Sequence, residues 1–198
     1  MLLKTWTDLF FPPLCFYCKQ KTKIPYLCPI CWEESVLLDP ENRCAHCFES
    51  LETQSVLCPQ CAKNPIFLFP KFALFDSRSP ICTILKNEEL TEAIASFAYY
   101  QWERLNLPKI DYVLAMPSQK SEIGAFFANY LDIPYLQLFT KSFGSFSSSC
   151  FDIDVEMVEE WKSFILFDEG STLDELKLAS QLVSLAFPKR GYILSLKL

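Results

Sequence analysis

The sequence has no surplus of basic residues. Its 18 lysines and arginines stand against 24 acids, for a formal charge of -6 at pH 7. Such a balance gives little support to broad, nonspecific attraction to nucleic acid, which relies on a basic surface. The chain also lacks an apolar run of about 18 residues, so no segment is a candidate membrane-spanning helix. The opening "MLLKTWTDLFFPPLC" resembles a secretory signal only superficially, because Asp8 interrupts its apolar stretch. The expectation is a short amphipathic helix stopped by Pro12 and Pro13, in a cytoplasmic protein. Disorder is excluded as well, since 51% of the residues are apolar and there is ample side chain for a core.

Cysteine, by contrast, is abundant and ordered. Eight of the ten cysteines fall into four identical pairs: Cys15 and Cys18, Cys28 and Cys31, Cys44 and Cys47, Cys58 and Cys61. Two thiolates separated by two residues can grip one metal from a tight knuckle, and two knuckles complete the tetrahedral sulfur shell that zinc accepts. Without a secretion signal, repeated CxxC pairs fit metal better than disulfides. The first pair recurs 29 residues on and the second 30 residues on, inside the matching phrases "YLCPICW" and "VLCPQCA". This is an internal duplication, and it suggests that each copy closes its own site. Cys15, Cys18, Cys28 and Cys31 would form one and Cys44, Cys47, Cys58 and Cys61 the other, with an interleaved cross-brace as the alternative. A complete sulfur shell leaves no open position for substrate, so the metals are expected to be structural.

Other residues near the knuckles have plainer readings. His46 is the only histidine, but the four-sulfur set is complete without it, and an exposed or hydrogen-bonded knuckle residue is expected. Lys19, Lys21 and Lys23 form a small basic edge that reads as solvated surface, although it could touch phosphate. Trp32 is expected to pack behind the first ribbon, because so small a module needs cover for its core. Cys82 and Cys150 lack a close cysteine companion and read as buried apolar residues.

After Pro65 and Pro70 the texture changes. "FALFD" (72–76) reads as a strand and 88–105 as a helix, whose Tyr99, Tyr100 and Trp102 are assigned to packing rather than to base stacking. "DYVLAM", "PYLQLF", "SFILF" and "GYILSL" then read as short buried strands, and "SEIGAFFANYL" and "TLDELKLASQLVSLAF" as helices. That alternation predicts a mostly parallel sheet covered by helices, an α/β domain. Ligands of such sheets bind beyond the carboxyl ends of the strands, which places the loops after Met116 and after Phe167 on the functional edge. In the second loop, Gly170, Ser171 and Thr172 could offer backbone N–H groups to a phosphate at the start of a helix. Asp168 and Glu169 could meet sugar hydroxyls or a magnesium ion. Thr172 and Glu175 also form a capping box that accounts for the same residues without a ligand, and the two readings are compatible.

These motifs together resemble the ComF family of competence-associated proteins, in which paired CxxC knuckles precede a type I phosphoribosyltransferase-like domain. "LFFPPLCFYC", "YLCPICW", "RCAHC" and "LCPQCAKNP" resemble its ribbons, "DYVLAMPS" its first core strand, and "FILFDEGSTLDELKLASQL" its hallmark strand, acidic pair, phosphate loop and helix. The resemblance spans nearly the whole chain and implies an N-terminal helix with a double zinc ribbon over 1–64 and a phosphoribosyltransferase-like domain over 65–198. It also implies an accessory role in DNA uptake during natural transformation, with a competence helicase, a recombination mediator and single-stranded DNA as partners.

Departures from the family pattern limit what else it implies. The arginine-rich segment expected after the first core strand is missing, and only Gln119 and Lys120 follow Ser118 before the next helix. The hallmark loop keeps Asp168, Glu169, Gly170, Ser171 and Thr172 but lacks four residues between the acids and the glycine. A shorter turn presents a smaller concavity to phosphate, and Lys120 is the one cation near in sequence to balance a pyrophosphate leaving group. The expectation is therefore a protein without useful phosphoribosyl transfer, with two structural zinc ions, and with magnesium only if the residual phosphoribosyl site is active.

Overall fold

The computed structural model describes residues 13–23, 26–52, 55–116, 122–141, 151–153, 163–186 and 190–198. The N-terminal helix expected over the first residues, Lys120 and Cys150 lie outside them. Two short helices, α1 (Pro29–Glu33) and α2 (Pro59–Lys63), belong to the cysteine-rich part. The rest alternates: β1 (Lys71–Phe75), α3 (Thr91–Leu105), β2 (Tyr112–Ala115), α4 (Ile123–Leu131), β3 (Tyr135–Leu136), β4 (Phe139–Lys141), β5 (Phe151–Ile153), β6 (Phe164–Asp168), α5 (Leu173–Ala186) and β7 (Gly191–Lys197).

Five strands form one parallel sheet in the order β1-β7-β6-β2-β3. The period-2 geometry of a strand sorts its side chains into two cores. Val113, Ile165, Phe167, Tyr192, Leu194 and Leu196 join α3 and α4 on one face. Leu114, Met116, Phe164, Leu166 and Ile193 join Leu176, Ala179 and Val183 of α5 on the other. Every residue of β6 is buried, which is why its sequence is an unbroken apolar run ending in one acid. Trp102 packs edge-on against Phe127 and Tyr192, so it is a core side chain, while Tyr100 on the outer face of the same helix is exposed.

The run 134–139 is not one strand. Tyr135 and Leu136 pair with β2, after which Phe139–Lys141 leaves the sheet and pairs antiparallel with Phe151–Ile153. The strand after β3 in the main sheet lies on the opposite side of β2, so chain order reverses between β2 and β6. The carboxyl ends of those two strands, Ala115 and Phe167, are register partners. The loop after Asp168 therefore opens at the topological switch point, where α/β sheets place their ligands.

The cysteine-rich part is docked on the sheet. Cys15, Leu27, Cys28, Cys31, Leu38 and Phe48 share one buried apolar cluster with Leu74, Phe75 and Ile81. The free edge of β1 is closed by the same region, because Leu38 N–H donates to the Leu74 carbonyl at 2.8 Å and Lys71 N–H to the His46 carbonyl at 2.7 Å. Buried Gln101 of α3 fastens this seam, donating to the Leu38 carbonyl at 2.7 Å. An edge strand left bare would present a row of unpaired backbone groups.

Candidate metal centres and the loop at the switch point

The two CxxC pairs of each repeat converge. The sulfurs of Cys15, Cys18, Cys28 and Cys31 all lie within 4.8 Å of one another, as do those of Cys44, Cys47, Cys58 and Cys61. The sequential pairing is thus the one formed, and the interleaved cross-brace is not. Tetrahedral zinc with Zn–S near 2.3 Å requires sulfurs about 3.8 Å apart. Cys18 and Cys28 are separated by 3.7 Å and Cys47 and Cys58 by 3.8 Å, so the donor set fits the ion.

The duplication extends to individual backbone bonds. Cys15 N–H donates to the Gln20 carbonyl as Cys44 N–H does to that of Glu49, and Phe16 N–H meets the Tyr26 carbonyl as Ala45 N–H meets that of Val56. Lys19 and Phe48 both follow a knuckle and both take left-handed backbone, φ 62° and 67°. Cys28 and Cys58 each cap a one-turn helix with proline at its first position, where a missing N–H costs nothing. The turn then delivers Cys31 and Cys61 to the sulfur cluster.

Each cluster polarises its own thiols. Burial raises the Cys15 thiol, but N–H groups of Cys28, Cys18 and Tyr17 outweigh it and bring it down to about 6. Burial and the N–H groups of Cys58, Cys47 and His46 do the same for Cys44, which also falls to about 6. Cys31 and Cys47 move the other way, pushed up by burial and by the sulfurs beside them. In each cluster one thiol is lowered while a neighbour is raised, and a divalent ion would displace the protons that remain. His46 is not a ligand: its Nε2 bonds the Phe67 carbonyl at 2.7 Å. Near the second cluster, burial lowers Lys71, opposed by the charges of Asp168, Glu49 and Cys47, and its ammonium sits over the Phe67 ring.

The loop at the switch point is held by its own acids. Asp168 is 3% exposed; its Oδ1 accepts from Gly170 N–H at 3.1 Å and Ser171 N–H at 2.8 Å, while its Oδ2 accepts from Ser195 Oγ on β7 at 2.8 Å. Thr172 N–H donates to Glu175 Oε2 at 2.8 Å, and Glu175 N–H returns a bond to Thr172 Oγ1 at 3.3 Å. The capping box is formed, and three successive N–H groups that could face a phosphate point at carboxylates. Gly170 has φ 125°, a conformation that L side chains rarely adopt.

Three neighbours of this loop were missed by local sequence reasoning. Ser195 anchors Asp168 from the adjoining strand. Lys197 reaches the loop from the end of β7, its Cε 3.2 Å from where a Cβ on Gly170 would stand. Tyr135 of β3 is pushed up to about 12 by burial and by the charge of Glu169. Each arrives through strand register rather than sequence proximity, although "GYILSLK" does show its lysine at the carboxyl end of a strand.

No family model and no curated protein matches the chain. Among the described residues, no helix is long and apolar enough to cross a membrane.

Proposed function

We propose that this is a divergent ComF-like protein of the cytoplasm, with two structural zinc ions and a phosphoribosyltransferase-like domain that has no useful transferase activity. It acts as an accessory factor in DNA uptake through protein contacts, with a competence helicase and a recombination mediator as partners. Single-stranded DNA is bound only weakly without them. Eight thiolates outweigh two divalent ions, so metal loading makes an already acidic chain more so.

The observation that carries the noncatalytic reading is the use of the loop's N–H groups by Asp168 and Glu175. A phosphate entering there would have to displace two carboxylates and then sit beside their charge. The alternative is a transferase using phosphoribosyl pyrophosphate and magnesium, favoured by the switch-point position and by Lys197 beside Gly170.

Calorimetric titration of the zinc-loaded protein with phosphoribosyl pyrophosphate and magnesium separates the two. The expected result is no saturable heat in the micromolar range and no pyrophosphate release with any common base. Turnover that is lost in Asp168→Asn would establish the transferase instead. A pulldown with helicase and mediator, with zinc measured on the same preparation, tests the partner assignment.

A further inference from the structure

The two repeats share a backbone but not their cover. After the second ribbon the chain turns back over its own cluster: Ile66 N–H reaches the Cys61 sulfur, and Phe67 and Lys71 bond the His46 ring and carbonyl. Cys47 is 4% exposed, and Cys58 of the same cluster is half-buried. After the first ribbon the corresponding chain runs away to the edge of β1, where Leu38 meets Leu74. Cys18, the counterpart of Cys47, is left exposed, and Tyr17, the counterpart of His46, is 46% exposed. The sulfur of Cys18 stands 3.7 Å from that of Cys28.

We propose that the first cluster is an oxidant-sensitive zinc thiolate site, in which a hydroperoxide converts Cys18 and Cys28 to a disulfide and frees the metal, while the second cluster keeps its own. Accessible thiolates are the ones that peroxides attack. The Cys18 thiolate attacks one peroxide oxygen, breaking the O–O bond, and becomes a sulfenic acid as the alcohol or water leaves with a solvent proton. The Cys28 thiolate then attacks the Cys18 sulfur and expels hydroxide, which takes a second proton. Two thiolates have lost two electrons and the peroxide has gained them. The sulfurs close from 3.7 Å to a bond of about 2.05 Å, and two of the four ligands are gone. Because Cys15, Cys28 and Cys31 also line the core shared with the sheet, the oxidised ribbon loosens one wall of that core.

The proposal rests on zinc occupancy of both clusters. The full-length protein, with Cys82 and Cys150 replaced by serine, is loaded with zinc and assayed for metal content. It is then treated with hydrogen peroxide while released zinc is followed with a chromophoric chelator, and disulfides are mapped by mass spectrometry. One zinc per chain should leave at least about tenfold faster than the other, with a Cys18–Cys28 link formed first. Cys18→His, which keeps four donors without the oxidisable sulfur, should slow the first release by about tenfold. If Cys18→His does not load, the disulfide map of the parent protein still decides. Fewer than two zinc ions before oxidant defeats the metal reading itself. Two ions that leave together, a first release from the second cluster, or a first disulfide that joins any other pair overturns the oxidation proposal alone.

Discussion

At the scale of single residues, an acid at the end of a parallel strand invites a ligand-binding reading, and Asp168 also has a structural occupation. Its two oxygens tie exposed Gly170 and half-buried Ser171 to Ser195, which is buried in β7. Asp168→Ala should therefore cost about 3 kcal/mol in urea unfolding, because a buried hydroxyl and two backbone donors lose their acceptor. Asp168→Asn should cost less, since its remaining oxygen can keep the N–H bonds and its amide can donate to Ser195. Equal stability of all three proteins would remove the structural role. Tyr135 gives a second test by pH. Its phenol is raised to about 12, so the folded state favours the protonated form. Below about pH 10 both states hold that proton; between about 10 and 12 the unfolded chain gives it up first, and stability falls as pH rises. Urea midpoints measured near pH 9 and pH 11.5 should drop more for the parent protein than for Tyr135→Phe, and equal drops would remove Tyr135 from the account.

Among elements, the duplicated ribbons show how one backbone acquires two uses. At the left-handed position after the knuckle, the first copy has exposed Lys19 and the second has Phe48, 2% exposed and edge-on to Phe72 of β1. Phe48→Ala should cost about 3 to 5 kcal/mol, the usual result of emptying an aromatic core site. Lys19→Ala at the equivalent position should stay within about 0.5 kcal/mol. Thermal denaturation of the two variants side by side checks the contrast. Gln101→Leu should cost about 1 to 3 kcal/mol by stripping the Leu38 carbonyl of its donor where no water replaces it. The four cysteine pairs were readable at spacings of 29 and 30, because they are written in repeated sequence. The alternation that makes β6 and its neighbours a parallel sheet was equally plain, since burial on both faces leaves continuous apolar runs. The split of 134–141 between two sheets was not, because an apolar run carries no mark of which partner each part will pair with. The contacts of Ser195, Lys197 and Tyr135 with the loop were hidden for the same reason: strand order brings them together from distant parts of the chain.

For the whole molecule, the question is whether the metal-binding part is an appendage or a wall of the main core. Shared burial argues for the wall: three cysteines of the first cluster lie in one apolar cluster with strand and helix residues, and the first 3-10 turn after β1 (Pro80–Thr83) packs on α1. Tyr26 also bonds Glu89 just ahead of α3. A metal site in such a position contributes its binding free energy to the stability of everything packed on it. Cys28→Ser should release one zinc and leave the other, because the second cluster has its own four sulfurs. The consequence for unfolding follows from the packing. If the first ribbon were an appendage, its loss would leave the sheet's thermal transition where it was and would add or remove a separate minor one. If it is a wall, the variant should still unfold in a single transition, at a midpoint several degrees lower, as expected when a few kcal/mol are withdrawn from a domain of this size. Circular dichroism at a wavelength dominated by helix and tryptophan fluorescence should then trace the same curve, since Trp32 reports the ribbon side of the core and Trp102 its centre. An unshifted main transition in the one-zinc variant would show that the cluster touches the sheet without supporting it.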